Sequence, residues 1–80
     1  MKDMLLERIT ISPRVMAGKP VIRGTRIPVD LLVRMVAQGI SEKELLIEYP
    51  GLTALDIRAA LTYAADVVAH EDVFPMPVTA

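Results

Sequence analysis

Eighty residues provide for one domain and one core, and with no cysteine and a single histidine, His70, disulfides and thiolate metal sites are excluded. A chain this short buries only about 60% of its unfolded surface, yet 52% of its residues are apolar, so a second chain is expected to cover part of that area, in a homodimer or larger assembly. The formal net charge is only −1, but it divides into a basic first half, with Lys2, Arg8, Arg14, Lys19, Arg23, Arg26 and Arg34, and an acidic second half, which points either to a charged partner such as nucleic acid or to pairing between halves.

No apolar run approaches the roughly 20 residues that span a bilayer. Met1 to Arg8 carries charge on both sides of Leu5 and Leu6 and lacks the apolar centre of a signal peptide. The expected location is the cytoplasm. The first predicted element is a short edge strand over Arg8-Ile9-Thr10-Ile11, which stops at Ser12-Pro13. Two β-rich triplets then flank Gly24-Thr25, and glycine first in a two-residue loop predicts a type II′ hairpin there. Pro20 and Pro28 confine that ribbon to an edge.

From Pro28 the pattern turns helical. Pro28 suits a helix start and Asp30 complements the dipole in the first turn. Leu31, Leu32, Met35 and Val36 make an apolar stripe, and Gly39 closes the helix. Ser41 and Glu44 form a capping box for a second helix that buries Leu45, Leu46 and Tyr49, stopped by Pro50-Gly51. Thr53 caps a third helix with Asp56 three residues on, and the predicted core stripe is Ile57, Ala60, Leu61, Ala64 and Val68. That leaves Leu55, Arg58, Ala59, Thr62 and Asp66 facing outward. Residues 1–70 are expected to make one domain and residues 71–80, with two prolines and no period, an extended tail.

Helices joined by a short turn and capped in this way fit a helix-turn-helix, which lays its last helix in the major groove. The DNA-contacting candidates are Thr53, Arg58 and Thr62 on that helix, with Lys19, Arg23 and Arg26 of the hairpin reaching phosphates. The cationic density is low for a DNA reader, and Asp66 would repel phosphate, so a helical bundle without DNA is the competing reading. Catalysis finds no support: Ser12 and Ser41 have no histidine at a defined spacing, and Glu44 and Glu48 sit four apart on a solvated face. Gly18-Lys19 is no phosphate loop, because the required first glycine is replaced by Pro13. His70 suits the negative pole of a helix C-terminus. No catalytic, metal or cofactor residue and no small-molecule substrate is expected.

Three runs carry a family resemblance: Glu7 to Ile11, Gly18-Lys19-Pro20-Val21-Ile22-Arg23-Gly24-Thr25-Arg26-Ile27-Pro28-Val29, and Tyr49 to Leu61. They resemble the bacterial and archaeal domain of unknown function 433 family. The resemblance implies a mostly α fold, a three-helix homeodomain-like helix-turn-helix preceded by a short β-strand and β-hairpin, forming dimers. It also implies an antitoxin role beside a PIN-like ribonuclease toxin, with DNA binding to the module's own operator. Such antitoxins often place a basic C-terminal side chain in the toxin's metal site, whereas here the tail opens Glu71-Asp72. Val73, Phe74, Met76 and Val78 are the partner-binding candidates in that tail. The rival function is a protein-interaction adaptor or dimerisation module without DNA binding, which the acidity of residues 41–80 favours.

Overall fold

The structure, a computed structural model, describes residues 2–70. The order is α1 (Lys2–Leu6), β1 (Ile9–Ser12), β2 (Val15–Ile22), α2 (Val29–Ala37), α3 (Glu42–Glu48) and α4 (Ala54–His70). About 55% of the described residues are helical. A mostly α chain with its strands early in the sequence fits expectation. The three-helix homeodomain-like plan does not: the described residues form four helices, and the additional one stands before the strands and packs on α4.

The N-terminal helix α1 is five residues long, far short of the ~12 at which an isolated helix becomes even marginal in water. It therefore depends on tertiary contact. Leu5 is buried in the core, and the Lys2 ammonium reaches Asp66 of α4 at 3.0 Å.

The β-hairpin also lies elsewhere than predicted. β1 is not a lone edge strand but pairs antiparallel with β2, with Ile9 opposite Ile22 and Thr10 opposite Val21, and the chain reverses at Pro13-Arg14. Between the Pro20 and Val15 pairings, Met16 to Lys19 bulge out of register; Met16 and Ala17 hold φ of 50° and 54°, a left-handed conformation that non-glycine residues adopt at a cost. Around Gly24 the chain does turn back, but as a tight turn and not a strand pair. Gly24 has φ +81°, the Thr25 hydroxyl donates to the Ile22 carbonyl at 2.7 Å, and Ile27 N–H donates to that hydroxyl at 3.0 Å. The returning chain makes only one bridge, Val21 to Pro28. Pro28 has no N–H, so the ladder cannot continue.

Proline at 28 is the N-cap of α2, and Gly39 follows the helix at φ +88°. The stripe of α2 is rotated from the predicted one: Val29 and Leu32 are buried, Val33, Met35 and Val36 half-buried, and Leu31 exposed. The α3 capping box is formed in both directions, with Glu44 N–H to the Ser41 hydroxyl and Ser41 N–H to the Glu44 carboxylate, each 3.1 Å. Leu45 is fully buried, Leu46 and Tyr49 partly, and the Tyr49 hydroxyl points to the Met35 sulfur at 3.9 Å.

α4 is the axis of the domain. α1, α2, α3 and β1 all pack on it, and its buried residues Asp56, Ile57, Ala59 and Ala60 come from its first two turns. Ala59, predicted to face outward, is completely buried, because α1 covers a flank that a three-helix plan would leave open. Of the predicted core stripe, Ile57 and Ala60 are buried, but Leu61 is 38% and Val68 71% exposed. No helix among the described residues is long and apolar enough to cross a membrane.

If α1 is held by its one core side chain, Leu5→Ala should destabilise the domain by about 2–4 kcal/mol, while the exposed Met4→Ala should change it by less than about 0.5 kcal/mol. Urea melts of the two variants followed by circular dichroism make the comparison; equal stabilities would remove α1 from the core.

Candidate functional site

The N-terminus of α4 is organised by one carboxylate. Asp56 lies three residues beyond Thr53, at the distance where side chain and backbone can cap reciprocally. Asp56 N–H donates to the Thr53 hydroxyl at 3.2 Å, and Thr53 N–H donates to Asp56 Oδ2 at 3.0 Å. The free oxygen, Oδ1, accepts from Arg8 Nη1 at 3.1 Å, across 48 residues of sequence. Asp56 is only 7% exposed, so both its oxygens need partners, and both have them.

That pair forms one wall of a cleft lined by Met4, Glu7, Arg8, Arg23 and Asp56. Arg23 enters the cleft from the end of β2. Its Nε donates to the Glu7 carbonyl at 2.6 Å and its backbone N–H to the Arg8 carbonyl at 2.7 Å. The guanidinium thus staples the α1–β1 link to β2.

A second surface is apolar. A groove of about 360 Å³ lies between β2, α2 and α4, lined by Pro20, Val29, Val33, Tyr63, Ala64 and Val67, with Lys19, Asp30 and Arg34 at its rim. Those three charges pair loosely: Asp30 lies 3.6 Å from Lys19 and 3.9 Å from Arg34.

The six predicted DNA-contacting residues therefore do not make one face. Thr53 is committed to capping. Lys19 stands on the groove rim and pairs with Asp30, while Arg23 lines the separate cleft and holds Glu7. Arg58 and Thr62 remain one turn apart on α4, the first exposed and the second half-buried, and Arg26 is exposed in the turn after β2. Neither Arg58 nor Arg26 forms an ion pair among the described residues. Asp66, read as facing solvent, is bound to Lys2. Val73, Phe74, Met76 and Val78 lie outside the described residues. The Arg8–Asp56 pair was missed in the sequence; the Thr53–Asp56 spacing marked the carboxylate as a cap, but no local signal links it to Arg8. Among the described residues no group of three or more His, Cys, Asp or Glu side chains is placed to hold a metal. The His70 ring is engaged with its own helix, Nδ1 lying 2.7 Å from the Asp66 carbonyl.

The class these features define is a small domain whose described residues form four helices, built around one long helix and stapled to an N-terminal antiparallel hairpin. The chain belongs to the DUF433 family, described as "Protein of unknown function (DUF433)", whose model matches residues 9–64. It is similar to an uncharacterized protein, y4eO, of Sinorhizobium fredii, with 45% identity over 58 residues, 72% of this chain and 26% of that protein. An uncharacterized protein of Archaeoglobus fulgidus is 60% identical over 30 residues, 38% of this chain and 83% of that protein. Among solved structures, a DUF433 member from Anabaena variabilis superposes with a TM-score of 0.74 at 48% identity, covering 84% of this chain and 66% of that one. The chain thus spans about a quarter of the Sinorhizobium relative and just under two thirds of the Anabaena protein.

If Asp56 anchors the domain, Asp56→Ala should cost about 2–4 kcal/mol, since it strands both a cap amide and a half-buried guanidinium. Thr53→Ala should cost only about 1 kcal/mol. Arg8→Ala should fall between them, because Asp56 keeps its cap. Chemical denaturation of the three variants checks the order, and Thr53→Ala as the most damaging would refute it.

Proposed function

We propose that this domain is an antitoxin-like regulatory subunit of a toxin–antitoxin module: a cytoplasmic homodimer that holds a PIN-like toxin and binds its own operator. The family resemblance suggests the class. The observation that carries the protein-binding part is the amount of apolar surface on α4 and beside it. Leu61, Val67 and Val68 are exposed, and the groove next to them is walled by valine, tyrosine and alanine. Contiguous apolar surface rimmed by charge is the mark of a protein interface. In this reading the chain carries no catalytic group, cofactor or small-molecule substrate.

The DNA-binding part rests on Arg26 and Arg58, which are exposed and unpaired among the described residues, with Thr62 one turn beyond Arg58. A second reading, an interaction adaptor or dimerisation module that binds no DNA, draws on a specific observation. Arg8, Lys19 and Arg23 are all engaged within the chain, by Asp56, Asp30 and the Glu7 carbonyl, so the cations left for phosphate are few.

Titrating the protein against its own promoter and an unrelated duplex, at two salt concentrations, separates the two. The antitoxin reading predicts promoter preference, with a salt slope that falls by about 0.9 for each phosphate contact removed, as in Arg26→Ala. Arg58→Ala should cost about 1–3 kcal/mol at the preferred site alone if that side chain reads a guanine. Equal affinity for both duplexes hands the case to the adaptor. Failure to bind and silence a PIN-like nuclease encoded beside it would end the antitoxin reading.

A further inference from the structure

The groove between β2, α2 and α4 has apolar walls and a rim that is not neutral. Lys19 and Arg34 stand there against one carboxylate, Asp30, and all three side chains are about half exposed or more. Exposed ion pairs at such separations hold little, so the rim presents a net cation to whatever lies over it. The α4 wall, Tyr63, Ala64 and Val67, belongs to the later turns of the helix. Measured back from His70 along the axis, Val67 lies about 4.5 Å away and Tyr63 about 10.5 Å. Residues 71–80, which lie outside the described residues, follow His70 directly with the sequence Glu-Asp-Val-Phe-Pro-Met-Pro-Val-Thr-Ala. Ten residues of extended chain reach about 31 Å, ample to turn back over the whole of that wall.

We propose that this groove is the docking site of the chain's own segment 71–80, with the Phe74 ring seated against Val67 and Tyr63. Three properties commit the groove to that occupant. The first is the tether. A segment joined to the helix within a turn of Val67 meets the groove at a high effective concentration and forfeits no translational freedom on docking. The second is charge. The segment carries two carboxylates, Glu71 and Asp72, and no cation, which complements a rim of two cations and one carboxylate. The third is the balance of polar groups. The α4 wall spends its backbone groups within the helix, and Pro20 on the β2 wall has no N–H. An occupant therefore does best with apolar side chains and few amides to satisfy. Val73, Phe74, Met76 and Val78, interrupted by Pro75 and Pro77, have that composition. The inference goes beyond the antitoxin reading and does not depend on it. Leu61 and Val68 are not part of the groove lining and stay open to a partner. A partner that takes Val67, or the apolar side chains of the segment, has first to draw the segment off the groove, so the segment acts as its built-in competitor.

The chain has no tryptophan, so Phe74→Trp in the full chain supplies a single emission reporter. Its emission should be blue-shifted from that of free tryptophan in water, and the shift should hold over about a hundredfold dilution, because docking within one chain is independent of concentration. Adding Val67→Asp, an exposed wall position outside the core cluster, should return the emission to that of tryptophan in water. Adding Lys19→Glu and Arg34→Glu instead, both exposed rim positions, should move it the same way, and decides the matter if Val67→Asp alters the far-ultraviolet dichroism. Emission already at the free-tryptophan position in Phe74→Trp overturns the docking. A blue shift lost on dilution overturns it too, by placing the segment on a second copy. A blue shift that neither the wall nor the rim variant moves puts the segment somewhere other than this groove. None of these results alters the promoter titration, so the docking and the antitoxin reading fail separately.

Discussion

The Asp56 carboxylate must be satisfied where it lies, and the domain is arranged around that requirement. A carboxylate nearly out of water needs partners for both oxygens. One oxygen is supplied locally, by the Thr53 amide, which fixes where α4 begins. The other is supplied by Arg8, which fixes where the N-terminal segment crosses α4. Arg8 sits between α1 and β1, and its carbonyl accepts from Arg23 N–H while Glu7's accepts from the Arg23 side chain. The end of β2 is thereby tied to the same point. Start of α4, end of α1, start of β1 and end of β2 are joined by four hydrogen bonds, in a chain with no disulfide to do that work.

What could be read from the sequence follows the range of the forces involved. The capping boxes at Ser41 and Thr53 are local, contained within four residues each, and the structure forms both. Gly39 and Gly24 marked turns that need positive φ. Two features were not legible. α1 has no cap, no length and no periodicity of its own; it exists because Leu5 and Lys2 find α4 more than fifty residues away. The hairpin was placed at Gly24-Thr25 because that dipeptide is a strong turn signal, and a turn does form there. Strand pairing needs donors on both sides, however, and with Pro28 opposite Val21 the longer ladder formed with β1.

The candidate site suffered from the same cause. Once α1 is present, α4 is packed on a flank that a three-helix plan leaves free, so Ala59 moves inward and Asp66 acquires Lys2. Lys19, Arg23 and Arg26 are close in sequence, but β2 extends the chain by about 3.3 Å per residue, and a tight turn follows. Lys19 therefore stands on the rim of the apolar groove while Arg23 lines the polar cleft, with Arg26 three residues further on in the turn after β2.

The burial of α4 carries the last step. Periodicity reports which residues of a helix share a face, but not whose surface that face will meet. The stripe from Ile57 to Val68 was read as core, and the physical content of that reading, an apolar face too long to leave in water, is unchanged by finding its second half exposed. Among the described residues α1, α2, α3 and β1 pack on α4, and the buried residues of the helix lie between Asp56 and Ala60. Small domains rarely reach stability on an internal core alone, which is why the exposed Leu61, Val67 and Val68 carry the protein-binding part of the proposed function.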